Sequence, residues 1–196
     1  MLHQILLAFI PLFFAFDALG ILAVFAGLTQ GLSPLEKRRT IVQSLWTATF
    51  LAVSFIFVGK IILNYLGISI GDFMIAGGMI LFCLAMVDLI SRNASSRRAK
   101  NLELGVVPFG TPLIVGPAVL TMALMLMNQF GWLVTLIAVV SNIVIVALVF
   151  FNADRLIRFI GANGAKALAK VMYLLLAAIG VMMVRKGVIE IISSLK

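Results

Sequence analysis

The 196-residue chain is 63% hydrophobic and 11% charged, with a mean hydropathy of +1.22 and a net charge of +8. Soluble domains hold about 45–50% apolar and about 25% charged residues, so this composition excludes a soluble enzyme, a disordered chain and a secreted disulfide scaffold. At ~20 apolar residues per membrane helix, the length accommodates about six spans with short loops, an all-α, polytopic membrane protein forming one membrane domain.

Uncharged stretches place the spans in chain order. The N-terminus lacks the basic region and cleavage site of a signal peptide, so the first span, from about Ile5 to Leu28, is expected to stay. Only Asp17 interrupts it. A carboxylate at that depth costs about 2.5–3.5 kcal/mol on insertion scales. Asp17 must therefore face the interior, pair with a donor or hold a proton, which makes it a candidate proton carrier. Gly20 follows it by three residues and keeps the surroundings small.

The second span covers about Ile41 to Gly59, with Gln43, Ser44, Thr47 and Thr49 as polar candidates for a cavity lining or for helix–helix hydrogen bonds. The next stretch, Gly67-Ile68-Ser69-Ile70-Gly71, matches a G-x-S-x-G hydrolase pattern. That elbow needs a strand before it and a helix after it, a context missing here. The third span, Phe73 to Val87, contains Gly77-Gly78, which lets another backbone approach closely, and the lone Cys83. Asp88 lies at its end near Arg92 and reads as an interfacial ion pair. Asp17 and Asp88 sit at different depths, unlike the facing carboxylates of a membrane aspartyl protease. With one histidine, His3, and one cysteine there is no disulfide, zinc or haem site. No metal, cofactor or enzymatic activity is expected.

From Leu104 to Ala153 the chain carries 50 consecutive uncharged residues, enough for two spans, with Asn128-Gln129-Phe130-Gly131 as the turn between them. Span 4 is the least helix-like part of the chain. Gly105, Pro108, Gly110, Pro112, Gly116 and Pro117 place six helix breakers in 13 residues. Proline removes a backbone donor and clashes with the preceding turn, and irregular backbone at membrane depth survives only where protein or a water-filled cavity covers it. A broken helix is expected. Pro117 suits the first turn of its second half, whose N–H groups and dipole favour an anionic group. Thr111 and Thr121 flank the break, and Ser141-Asn142 adds polarity to span 5. The sixth span runs from about Leu168 to Val184.

Eleven of the fifteen basic residues fall in the loops after spans 1, 3 and 5, leaving Lys60, Arg185, Lys186 and Lys196 for the other side. The positive-inside rule puts those three loops in the cytoplasm and both termini outside it. The same clustering explains the net charge without a nucleic-acid partner.

The halves echo each other. Ile62-Leu63-Asn64-Tyr65-Leu66-Gly67, after span 2, matches Leu156-Ile157-Arg158-Phe159-Ile160-Gly161, after span 5, and Asp17-Ala18 in span 1 corresponds to Gly116-Pro117 in span 4. Two units of three spans insert with opposite orientation, so the plan is an inverted repeat, common among secondary transporters. The expected units are 1–95 and 104–196, joined by a cytoplasmic linker at 96–103.

Three blocks resemble the MarC family of integral membrane proteins. They are Phe16-Asp17-Ala18-Leu19-Gly20 with Leu28-Thr29 and Ser33-Pro34; Leu66-Gly67-Ile68-Ser69 with Gly77-Gly78; and Pro108-Phe109-Gly110-Thr111-Pro112 with Gly116-Pro117. The resemblance spans nearly the whole chain. It implies six helices in two inverted repeats, a bacterial or archaeal cytoplasmic membrane, and transport of small neutral amino acids such as glycine and alanine. The family typically has proline where Ala18 stands, asparagine where Ile21 stands, a proline near Ala23 and glycine where Ala118 stands. The missing prolines argue against a break in span 1, and the missing asparagine removes a polar group one turn from Asp17.

The resulting expectation is a secondary transporter, for uptake or export, of small neutral solutes, with a proton as the candidate coupling ion. The expected substrate site comprises Asp17, Gly20, Thr111, Pro112, Gly116, Pro117 and Thr121. Membrane lipids and a small-molecule substrate are the expected partners, and a homo-oligomer is compatible with the sequence. The rival expectation is a non-transporting membrane scaffold or stress-response component, whose breaks and acid serve packing only.

Overall fold

A computed structural model describes residues 2–22, 25, 29, 32–90 and 114–194. The linker at 96–103, Arg92, Thr111 and Pro112 lie outside the described residues. In chain order the helices are α1 (Leu2–Phe16), α2 (Pro34–Leu66), α3 (Ile70–Ile90), α4 (Pro117–Phe151) and α5 (Ala153–Ser194). Among the described residues, four stretches are long and apolar enough to cross a membrane: Pro34–Leu66, Ile70–Ile90, Pro117–Phe151 and Ala167–Ser194.

Capping chemistry sets the ends of α2 and α3. Ser33 and Glu36 form a reciprocal capping box ahead of Pro34, where a proline costs no helical donor. Gly67 ends α2 with φ 69°, its N–H donating to the Asn64 carbonyl while the Ile68 N–H donates to Leu63, a Schellman arrangement that favours glycine. Two residues later Ser69 starts α3, its hydroxyl accepting from the Asp72 N–H while its own N–H donates to the Asp72 carboxylate. The Gly67–Gly71 stretch is thus a helix–helix turn, and Ser69 is a cap.

The third helical end departs from the sequence expectation. Span 1 is broken. α1 stops at Phe16, and Asp17 takes φ 48°, in the left-handed region. Helical i to i−4 bonds then resume with the N–H groups of Ile21, Phe25 and Thr29 donating to Asp17, Ile21 and Phe25. The missing prolines did not prevent the break, because aspartate tolerates left-handed backbone and caps the next turn with its own side chain. At 15 residues, α1 alone reaches about 22 Å, short of a ~30 Å hydrocarbon core.

α4 changes direction at Gly131 (φ 82°, ψ 169°), the end of the expected turn. Its first segment, 117–130, reaches the far end of α2, where a Cβ on Gly59 would lie 3.0 Å from Leu124. Its second segment starts with Trp132 against Phe57 and ends with Phe150 stacked on Phe25, centroids 4.2 Å apart. Just beyond, Asp154 pairs with Lys37 at 2.7 Å. The second segment therefore runs back along α2, antiparallel to it.

Small residues hold the bundle together. Gly77 and Gly78 serve two neighbours: a Cβ on Gly77 would collide with the Thr121 side chain of α4, and one on Gly78 would lie 2.6 Å from the Gly180 carbonyl of α5. Gly180 and Gly187 return the constraint, with Cβ positions 2.7 Å from the Gly78 carbonyl and 2.6 Å from the Gly71 carbonyl. α3 and α5 thus cross backbone to backbone, as membrane helices do where small residues permit it. The outward faces stay apolar, with Trp46, Phe50 and Ile90 each more than 70% exposed. Gly78→Val should force the crossing apart and cost about 1–3 kcal/mol, the usual range for overpacking; the unfolding midpoint in detergent measures it, and an unchanged midpoint would show that the helices can part freely.

Candidate functional site

The two breaks in the apolar spans form the candidate site. At the first, the Asp17 carboxylate accepts the Gly20 N–H at 3.1 Å, and the Asp17 carbonyl accepts from Ile21 at 3.0 Å. Asp17 is 5% exposed and acts as the N-cap of the turn that follows it. A free peptide N–H in hydrocarbon costs several kcal/mol, so this bond stabilises the break and directs one carboxylate oxygen to the backbone. Gly20 is fitted to the cap, because a Cβ there would strike the Asp17 carboxylate. The Tyr173 hydroxyl of α5 reaches the Gly20 carbonyl at 3.5 Å, tying the break to the last helix.

The second break caps differently. Gly116 has φ −89° and ψ −178° and offers no side chain, while Pro117 occupies N1 and contributes no donor. The Gly116 carbonyl accepts from Val119 and Leu120 at 3.1 and 3.2 Å. The Thr121 hydroxyl donates back to the Pro117 carbonyl at 2.8 Å. Thr121 is buried and faces Gly77 of α3, so it seats the start of α4 as much as it adds polarity.

The structure therefore joins Asp17 to Gly20, and Pro117 to Thr121. Phe16, Ala18 and Ile21 from the first break and Val115, Ala118 and Val119 from the second belong to one buried apolar cluster. Thr111 and Pro112 fall outside the described residues.

Two further buried polar groups stand out. Asn142 donates to the Phe9 carbonyl of α1 at 3.3 Å and to Ala138 at 2.9 Å, while its Oδ1 accepts nothing. The Ser44 hydroxyl of α2 is likewise buried and unpartnered. Both residues were legible as polar positions in apolar spans, and their orphaned atoms require coordinates to detect. Asp88 is buried at the end of α3.

At the opposite pole from Lys60, the Lys37–Asp154 pair lies over the Phe25–Phe150 stack, with the Lys37 ammonium 5.8 Å from the Phe25 ring. It links the start of α2 to the start of α5.

Long apolar helices with apolar outward faces, and an acid buried where one of them breaks, define an α-helical integral membrane protein. A family model described as "MarC family integral membrane protein" matches residues 2–192, and the chain belongs to that family. Among its relatives, a UPF0056 membrane protein of Archaeoglobus fulgidus is 34% identical, covering 93% of this chain and 91% of the relative. The UPF0056 inner membrane protein YhgN of Escherichia coli is 29% identical, covering 95% and 97%. A UPF0056 membrane protein of Methanocaldococcus jannaschii is 26% identical, covering 95% and 87%. No solved structure matches the chain.

The capping geometry makes a specific prediction. Asp17→Ala should lose about 0.5–2 kcal/mol, the usual value of an N-cap, with added strain from alanine at φ 48°. Asp17→Asn keeps the acceptor and the tolerance of left-handed backbone and should unfold near wild type. Equal losses in the two variants would show that the charge, and not the cap, stabilises the break.

Proposed function

We propose that the protein is a secondary transporter of small neutral solutes, with glycine- or alanine-sized amino acids as the first substrates to test. The observation that carries this reading is the pair of helix starts inside apolar spans, one at Asp17 and one at Gly116–Pro117. Discontinuous helices of this kind place backbone donors at membrane depth, where transporters hold the anionic groups of substrates. Gly20, Gly116 and Ala118 keep the lining small, which favours small solutes.

Six spans in two inverted repeats agree with the contacts. The half-helix after Asp17 runs toward the Lys37–Asp154 end, because Phe25 lies under Lys37. The half-helix after Pro117 runs the other way, toward Gly59 and Lys60. The α3–α5 crossing repeats itself on exchange of the helices. Gly71 meets Ile191 as Gly180 meets Phe82, and Gly78 meets Val184 as Gly187 meets Ile75. These pairings share one antiparallel register, with which a twofold axis between the two helices is compatible.

The orientation follows from charge, with the Lys37–Asp154 end in the cytoplasm and both termini outside. Location in the cytoplasmic membrane of a prokaryote draws on the E. coli relative, which is named an inner membrane protein. In a Cys83→Ser background, a cysteine at Leu35 should resist an impermeant thiol reagent added outside intact cells, and one at Asn128 should react. Reaction at Leu35 alone would reverse the orientation.

Uptake by proteoliposomes holding the purified protein, screened over amino acids with and without a pH gradient, tests the function. Alanine or glycine should accumulate, and leucine and arginine should not. Gly116→Leu should abolish uptake while the protein stays folded. If Asp17 carries the coupling proton, Asp17→Asn should lose pH-driven accumulation and keep exchange. A folded wild-type protein that moves no solute would leave the breaks and the acid as packing devices in a scaffold.

A further inference from the structure

A second polar site lies away from both breaks, at the end of the bundle opposite Lys37. A cavity of about 190 Å³ opens there between α3, the end of the first segment of α4, and α5. Met74 and Met125 form its apolar floor, and Asn128, Gln129, Lys186 and Glu190 line its polar part. A neighbouring cavity of about 120 Å³ shares Ile70 and Asn128 and adds Lys60.

Three features make this more than a charged rim. Lys186 and Glu190 stand one helical turn apart on α5 and face the same hollow. No salt bridge joins them, Lys37–Asp154 being the ion pair among the described residues. Both charges are thus left for an occupant. The amides of Asn128 and Gln129 stand beside them and can donate or accept. The volume is that of a small molecule and not of a peptide.

We infer that this cavity binds a small zwitterion, a primary ammonium beside a carboxylate or phosphate, with Glu190 taking the ammonium and Lys186 and Asn128 the anionic group. Free amino acids and the ethanolamine headgroup of a phospholipid share this chemistry. The use of alanine as a probe rests on the transport reading; the polarity of the cavity does not. For a transporter the site is an antechamber, raising the local concentration of substrate at this end of the bundle.

The test uses the full-length protein in nanodiscs of phosphatidylglycerol. Ile189 lines the cavity and is 59% exposed, so a cysteine there, in the Cys83→Ser background, reports occupancy by its rate of reaction with an impermeant maleimide. Millimolar alanine should slow labelling at least threefold, and acetate or methylamine at equal concentration should slow it less. Phosphatidylethanolamine added to the disc tests the lipid source in the same readout. Lys186→Met and Glu190→Gln should each remove the protection, with unfolding midpoints near wild type. Protection by alanine marks a free solute, and protection by phosphatidylethanolamine alone marks a headgroup site. The inference is overturned if neither protects, if acetate or methylamine alone protects as well, or if the two variants keep full protection. Alanine uptake with normal KM in both variants would sink the antechamber role while leaving transport intact. Protection without any uptake would sink the transport reading while leaving the binding site.

Discussion

A hydrocarbon core offers no partner to a peptide N–H, so a helix that breaks inside it must satisfy its own ends. The rest of this molecule is arranged around that constraint. The chain meets it in two chemically different ways. At Asp17 a side-chain carboxylate turns back onto the Gly20 N–H, and the cost of burying an acid is offset by the donor it satisfies. At Gly116 the carbonyl gathers the next N–H groups and Pro117 has no donor to satisfy. The first solution leaves a titratable group in the core and the second leaves none, so the two breaks differ in chemistry.

Breaks of this kind hold their place only if neighbouring backbones come close, and that explains where the glycines fall. Gly77 admits Thr121, which fixes the start of α4 on α3. Gly78, Gly180, Gly71 and Gly187 let α3 and α5 meet at van der Waals distance over two turns. In lipid there is no hydrophobic force to press helices together, so this contact replaces what a soluble core would obtain from burial. The first break sits against a stiff crossing, with the Tyr173 hydroxyl of α5 donating to the Gly20 carbonyl.

Much of this was legible in the sequence because membrane solvent simplifies the code. Charge-free stretches mark the apolar cores of four long helices, and Ser33-x-x-Glu36 and Gly67 give the ends of α2. The break at Pro117 was visible as a cluster of residues that cannot continue a helix. The break at Asp17 was not, since the expectation looked for proline and found alanine. An aspartate at φ 48° makes the same break through a side-chain hydrogen bond, which composition does not encode. The orphaned Oδ1 of Asn142 and the charge-lined cavity at Lys186 and Glu190 depend on which faces meet. Such pairings belong to packing, and a single sequence without partners does not specify them.

The two ends of the bundle differ. At one end Lys37, 17% exposed, bridges to Asp154 above two stacked rings, joining the start of α2 to the start of α5. At the other, cavities open beside Lys60, Asn128 and Lys186. A partly exposed ion pair of this kind contributes about 0–1 kcal/mol, far less than the packing of a glycine-lined helix crossing. The α3–α5 crossing, backbone to backbone at Gly78 and Gly180, is the firmer of these two joints.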